Sequence, residues 1–248
     1  MNESSGKIGS DLSDLLRQEL RPVEAHIVGI GAPPDGATYD RAAWFYDSLI
    51  GNPLYNRLVW GAPVREYAQG CRRALAAAPP GPVIDLGCGT LKFTAVAYLD
   101  ASDRQLVLVD RSLAMLRRAR QRLLRGGTAF PAHITLLHAD LGALQCGRPG
   151  FAAALSWGVY HCLPDAEALP AALAALASDG IWAFSSLVID RRFGHRYLNM
   201  LARTGEVQRC VSHAAISDQL RRQAMPHDTV RVGNMAFFQG RWRDRESV

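Results

Sequence analysis

The chain has 248 residues, 48% hydrophobic and 21% charged, enough for one large domain with a buried sheet and short for two. No apolar run approaches the ~20 residues of a bilayer-spanning helix, and Met1 to Gln18 has no signal-peptide core. A soluble, cytoplasmic protein is therefore expected, and five cysteines without any C-x-x-C pair argue against disulfide frameworks, zinc or another metal. The net charge is +5, yet Lys7 and Lys92 are the only lysines and alanine is abundant, so the basic residues read as solvated faces before a nucleic-acid footprint.

The first nine residues read as a tail. Asp11 to Leu20 is expected as a short helix, with Leu12, Leu15, Leu16 and Leu20 on one face. A small apolar run, Ala25 to Ile30, precedes the breaker cluster Gly31-Ala32-Pro33-Pro34-Asp35-Gly36. Helices are expected at Asp40–Ile50, Pro53–Trp60 and Pro63–Ala78, the last ended by Pro79, Pro80, Gly81 and Pro82. Strands and helices then alternate. Strands are expected at Pro82–Leu86, Gln105–Asp110, Ile134–Leu137, Phe151–Ser156 and Ile181–Val188. Helices are expected after Thr90, at Leu113–Leu124 and at Ala166–Ala177. Continuous apolar strands, each followed by a helix, imply a parallel sheet covered on both faces. Thr229–Val232 and Met235–Arg241, joined by Gly233-Asn234, read as a terminal antiparallel hairpin. The expected fold class is α/β, a Rossmann-like, doubly wound, mostly parallel seven-stranded sheet with an N-terminal helical lid.

The sharpest chemical signal is Val83-Ile84-Asp85-Leu86-Gly87-Cys88-Gly89-Thr90, at the end of the first of these strands. Gly87 and Gly89 let the backbone turn tightly and approach a ligand, and a helix opening just after Gly89 would offer unpaired N–H groups. Asp110 ends the next strand, where a carboxylate can accept both hydroxyls of a ribose. Ser112 then caps a helix that carries Met115, suited to lie against an adenine ring. Asp140, after the third strand, can accept the adenine amino group. Together these loops describe a pocket for an adenosine-containing ligand. A nicotinamide dinucleotide would require G-x-G-x-x-G, and Lys92 stands at the sixth position.

Asp85-x-Gly87-x-Gly89, with Asp110 and Asp140 after the following strands, resembles the class I S-adenosylmethionine (SAM) methyltransferases. Tyr39-Asp40-x-x-Ala43-x-x-Tyr46-Asp47 is similar to the opening of the ubiquinone/menaquinone-biosynthesis and related small-molecule methyltransferases. Ser156-Trp157-Gly158-Val159-Tyr160-His161-Cys162-Leu163-Pro164-Asp165 is similar to that family's segment after the fourth strand. The resemblance spans Tyr39 to Arg241. It implies SAM as cofactor, S-adenosylhomocysteine as product, and methyl transfer to an O, N, C or S atom of a small-molecule acceptor.

It also implies roles. Asp85, Gly87, Cys88 and Gly89 would border the methionine moiety, and Asp110 would hold the ribose. Arg111 and Met115 would flank the adenine, and Asp140 and Leu141 would meet its edge. The Ser156–Trp157 backbone would accept from the methionine amine, and Tyr39 would sit in the lid near the carboxylate. Tyr46, Tyr160, His161 and His195 are the candidate substrate-facing residues, with His161 also the candidate catalytic base and its alternative a structural hydrogen-bonding role. Leu91 departs from the pattern, because it stands where the family carries a third glycine. Such a leucine either points into the sheet–helix interface or narrows the cofactor site.

The expected organisation is a tail with a short helix over 1–38 and a methyltransferase domain over 39–248. Within that domain 39–78 form a helical lid and 190–226, with two helices, a lid insertion. Alternative readings are a nucleic-acid methyltransferase, although the segment after the fourth strand lacks an [ND]-P-P-[YFW] motif, and a non-catalytic SAM-binding protein.

Overall fold

The computed structural model describes residues 12–13, 15–32, 52–125, 127, 129–145, 150–177, 180–190, 192–203 and 207–241. The expected helix Asp40–Ile50, with Tyr39 and Tyr46, lies outside them, as does Cys146. Five parallel strands stand side by side in the order β5 (Ile134–His138), β4 (Leu106–Asp110), β3 (Val83–Leu86), β6 (Ala153–Trp157) and β7 (Ile181–Leu187). On one edge β9 (Met235–Arg241) runs antiparallel to β7, with β8 (Asp228–Val232) outermost, as the expected hairpin requires.

The other edge differs from expectation. Leu20–Glu24 and Ile27–Ile30 form an antiparallel hairpin, β1 and β2, and β2 adds in parallel to β5, giving a nine-stranded sheet. The short helix is over by Leu16, because Arg17 has φ +48° and Leu20 already belongs to a strand. His26 closes the hairpin at φ +63°, and Ile27 and Ile30 are buried. Burying these isoleucines against the open edge of β5 is the physical gain that draws the segment into the sheet.

Side chains alternate between the two faces, as every strand requires. Ile84, Leu86, Val107 and Val109 pack on α4 (Ala168–Leu176) and α6 (His213–Arg222), where Leu12 and Leu16 of the N-terminal turn join them. Val83, Leu106, Leu108 and Leu155 face the opposite layer. That layer is α1 (Arg65–Ala77), α2 (Ala95–Asp100) and α3 (Leu113–Leu124). Helical residues 53–60 run from an α-turn, Pro53–Tyr55, into the π-helical Asn56–Trp60, and Asn52 caps them by accepting from the Leu54 and Tyr55 N–H groups. α5 (Arg192–Arg203) packs against this segment through Leu198 and Trp60, with Val207 completing the cluster. Among the described residues no helix is long and apolar enough to cross a membrane.

β3 is the switch point of the sheet: β4 lies on one side of it and β6 on the other. Crossovers therefore leave β3 and β6 in opposite directions and open a crevice at their carboxyl ends, the general ligand position in doubly wound sheets.

Candidate functional site

The loop after β3 is built by backbone conformations that side chains resist. Gly87, Gly89 and Leu91 all have positive φ, +72°, +57° and +57°. A right-handed helix cannot contain such residues, so turns fill residues 90–94 and α2 begins only at Ala95. The helix expected just after Gly89 is thus displaced, and the loop itself faces the crevice. Gly87 has to be glycine because a Cβ there would lie 2.5 Å from Val159 Cγ2, which packs over it from the β6 side. At Gly89 a Cβ would meet nothing within 4 Å, so the loop is bare on the side where a ligand can approach.

Leu91 holds a left-handed conformation of the kind that glycine adopts without strain. Its side chain is 1% exposed and belongs to the apolar cluster shared with Ala95, Tyr98 and Leu116. Of the two placements open to it, the structure has the one in the sheet–helix interface.

Asp110 ties this loop to the next. Its Oδ2 accepts the Gly89 N–H at 2.7 Å and its Oδ1 accepts the Ser112 N–H at 2.8 Å. A carboxylate can accept about four hydrogen bonds, so one aspartate can organise a loop and still serve a ligand. The Gly87 and Cys88 N–H groups both donate to the Val109 carbonyl at 2.8 Å, fastening the turn onto β4. Ser112 caps α3 by accepting the Met115 N–H at 3.2 Å, and Met115 is buried beneath that first turn.

The loop after β5 joins from the other side. Asp140 Oδ1 accepts the Gly142 N–H at 2.9 Å, and its other oxygen lies 3.9 Å from Arg111 Nε. Leu141 is half-buried against the core. Gln18, from the N-terminal segment, brackets this turn: its side-chain N–H donates to the Ala143 carbonyl at 2.9 Å and its oxygen accepts the Gln145 N–H at 3.1 Å. Glu24 of β1 pairs with Arg117 and Arg120 of α3, holding its carboxyl below the usual carboxylate range. Gln18 and the hairpin after it thus touch both elements that flank the Asp110 loop.

On the β6 side, Ser156 is fully buried and its hydroxyl donates to the Leu86 carbonyl at 2.7 Å. The Gly158 N–H donates to Ser185, reaching Oγ at 3.0 Å, and Gly158 has φ +77°. Tyr67 of α1 stacks on Phe93 at 5.0 Å and sets its hydroxyl 3.6 Å from the position of a Gly158 Cβ. Beneath the loop, Asp85 is 1% exposed. Its Oδ2 accepts the Tyr98 hydroxyl at 2.8 Å, and Tyr98 accepts the Trp157 indole N–H at 3.1 Å. Burial, with Asp110 nearby, pushes the Asp85 carboxyl up to about 7, against the lowering effect of the Tyr98 hydrogen bond.

Asp85, Gly87, Cys88, Gly89, Asp110, Arg111, Met115, Asp140, Leu141, Ser156 and Trp157 therefore meet along the carboxyl ends of β3 to β6. Of the described substrate-facing candidates, Tyr160 and His195 do not converge with them. Tyr160 points into the core, stacks on Phe184 and donates to Gln219 Oε1 at 2.8 Å. His195 is exposed on α5. His161 is buried, its Nδ1 accepts the Leu187 N–H at 3.3 Å, and its carbonyl accepts the Gln208 and Arg209 N–H groups. Desolvation lowers its pKa to about 4, so the ring is neutral at physiological pH. Tyr39 and Tyr46 fall outside the described residues. Tyr67, Phe93, Tyr98 and Gln18 were not singled out from sequence, since an isolated tyrosine or glutamine at helical spacing carries no chemical signature.

Residues 83–180 match the family model described as a methyltransferase domain. A SAM-dependent methyltransferase of Thermotoga maritima superposes with a TM-score of 0.54 at 15% identity, over 81% of this chain and 100% of that one. Phosphoethanolamine N-methyltransferase 2 of Haemonchus contortus, in complex with SAM, superposes with a TM-score of 0.60 at 13% identity, covering 84% of this chain and 58% of the other. Geranyl diphosphate C-methyltransferase of Streptomyces coelicolor A3(2) gives 0.57 at 11% identity, over 85% and 100%. These likenesses show the shared methyltransferase fold. Among curated proteins none matches the chain.

The residues on the crevice fit the cofactor. The surface over Gly89 is bare, Asp110 sits beside it through its bond to the Gly89 N–H, and Asp85 Oδ1 is a buried oxygen without a hydrogen-bond partner among the described residues.

Proposed function

We propose that the domain transfers the SAM methyl group to an O, N, C or S atom of a small molecule, in the manner of the ubiquinone/menaquinone-biosynthesis-like enzymes. The observation that carries this reading is the Gly89–Asp110 hydrogen bond, which fixes a loop that is bare at Gly89 and a carboxylate on one rim. In this reading Asp110 accepts from the ribose, Met115 and Arg111 flank the adenine, and Asp140 and Leu141 border its edge. The Gly87–Gly89 loop and the Ser156–Trp157 backbone hold the methionine end, with Tyr39 covering it.

SAM supplies an electrophilic methyl group on sulfonium, so the protein need only align a nucleophile and exclude water. Tyr67 and Phe93, beside Gly158, would wall the approach of the acceptor, and their aromatic faces favour a nearby cation. His161 serves here as a positioning residue rather than a base: it ties the segment after β6 to β7 and to residues 208–209. Tyr46 and His195 remain candidates for acceptor contact from the lid segments 39–78 and 190–226, and Tyr160 supports the site from within the core. The partner in this reading is a small-molecule acceptor and the setting the cytoplasm, with no role assigned to a metal or to nucleic acid.

The buried position of Leu91 favours catalysis over cofactor binding alone, because its side chain leaves the crevice clear. The test is incubation of purified protein and a metabolite extract with methyl-labelled SAM, with mass identification of the labelled product. A labelled small molecule that disappears with Asp110→Ala supports the reading. Label in RNA, or S-adenosylhomocysteine bound without turnover on any acceptor, replaces it.

A further inference from the structure

Asp85, Tyr98 and Trp157 form a hydrogen-bonded chain that joins the two strands flanking the crevice. The Trp157 indole donates to the Tyr98 oxygen, and the Tyr98 hydroxyl donates to Asp85 Oδ2. Donors and acceptors run in one direction and end on Asp85, whose other oxygen, Oδ1, is buried with no hydrogen-bond partner among the described residues. Tyr98 is fully buried, and the chain lies under the glycine loop between β3, β6 and α2.

Among the described residues, the groups around Asp85 offer no positive charge. Asp110 faces it from β4, Cys88 from the loop, Cys71 from α1, Tyr98 from α2 and Trp157 from β6. Arg72, next to Cys71 on α1, pairs with Asp100 at 3.1 Å on the surface. A carboxylate buried without a counter-ion and with an empty oxygen is costly, and holding a proton relieves that cost. The same features raise its pKa to about 7, with burial the largest cause. A cation arriving in the crevice would reverse the balance.

We propose that Tyr98 is a positioning residue for the cationic methionine end of the cofactor, and that Asp85 gives up a proton when that cation arrives. This rests on the SAM-binding reading given above. The only bond broken is the Asp85 O–H, whose proton leaves for bulk water while the ammonium of the ligand becomes the counter-ion. Tyr98 keeps Oδ2 occupied throughout, so the change falls on Oδ1, and Trp157 feels it through the shared hydroxyl.

The experiment is calorimetric titration of the full chain with S-adenosylhomocysteine, which retains the ammonium but lacks the sulfonium, at pH 7 in three buffers of different ionisation enthalpy. The dependence of heat on buffer counts protons. Release of roughly half a proton is expected for a group that titrates near 7. Asp85→Asn should release none. Tyr98→Phe removes the hydrogen bond that lowers the Asp85 pKa, so its release should rise toward one proton, with a KM for SAM several-fold higher and kcat nearly unchanged. In ligand-free protein, the Trp157 contribution to fluorescence (wild type minus Trp157→Phe) should titrate near pH 7, and at higher pH in Tyr98→Phe.

Ligand binding with heats independent of buffer, or with equal proton release in Asp85→Asn, overturns the proposal and leaves the methyltransferase reading intact. Failure of S-adenosylhomocysteine to bind overturns both. A purely structural Tyr98 would lower the stability of Tyr98→Phe without moving the proton count or the fluorescence midpoint.

Discussion

Leu91 sets two opposing energies against each other at one position. Its φ of +57° is a region where an L side chain costs about 1–2 kcal/mol, a strain that glycine would relieve. Its side chain is 1% exposed within the cluster between β3, α2 and α3. Emptying such a leucine site costs about 2–5 kcal/mol, transfer and cavity together, and glycine adds roughly 0.5–1 kcal/mol of unfolded-state entropy. Packing therefore wins, and Leu91→Gly should destabilise the protein by about 0.5–5 kcal/mol, ~3 kcal/mol at mid-range. For a chain of this size each kcal/mol lowers Tm by about 2–4 °C, so a fall of about 6–12 °C is expected at mid-range. Leu91→Ala loses the same packing and keeps the strain, so it should be the least stable of the three, by about 0.5–1 kcal/mol relative to glycine. Urea unfolding followed by far-UV circular dichroism measures the order directly, and S-adenosylhomocysteine affinity should stay within about twofold. A Leu91→Gly protein as stable as the parent, or more so, would refute the view that this leucine is held by its packing.

Other changes test the elements around the rim. Gln18→Ala removes both side-chain bonds to the turn after Asp140 and should weaken S-adenosylhomocysteine binding several-fold in calorimetry, with little change in kcat. Glu24→Ala breaks the pairs with Arg117 and Arg120, worth up to about 1 kcal/mol at a partly exposed site. Because the folded Glu24 pKa is depressed, this contribution is present above the ordinary carboxylate range and disappears as pH falls through the folded value, so parent and variant should converge in acid denaturation. His161 has a folded pKa of about 4 against an ordinary 6.5, so the folded state resists its protonation and stability falls as pH drops between those values. His161→Asn, which can retain an acceptor for the Leu187 N–H, should flatten that fall and keep most activity, whereas a base role would cost several orders of magnitude in kcat.

The parallel strands were legible because each is an unbroken apolar run bounded by breakers, and their observed limits differ from the expected ones by a residue or two. The hairpin at Gly233-Asn234 was legible for its turn residues. The N-terminal strands were not: Leu20–Glu24 carries Arg21, Pro22 and Glu24, and it becomes a strand only by pairing with β2, which itself adds to the edge of β5, a partner distant in sequence. The start of α2 was misplaced because the positive φ of Leu91 has no signature in a leucine. At the rim, the aspartates and glycines were recognisable from type and spacing. What the spacing could not give is the direction of each side chain: Tyr160 turns into the core, and Tyr98, unremarkable on its helix, meets Asp85 and Trp157 only once β3, β6 and α2 are assembled.

A crystal structure of the protein with S-adenosylhomocysteine would examine the cofactor assignment at its root. The ribose hydroxyls should lie within hydrogen-bonding distance of Asp110, with the adenine over Met115 and the amino-acid end beside Gly87 and Ser156. Density for the nucleoside elsewhere on the molecule, or an Asp110 carboxylate turned away from a bound ribose, would contradict the account.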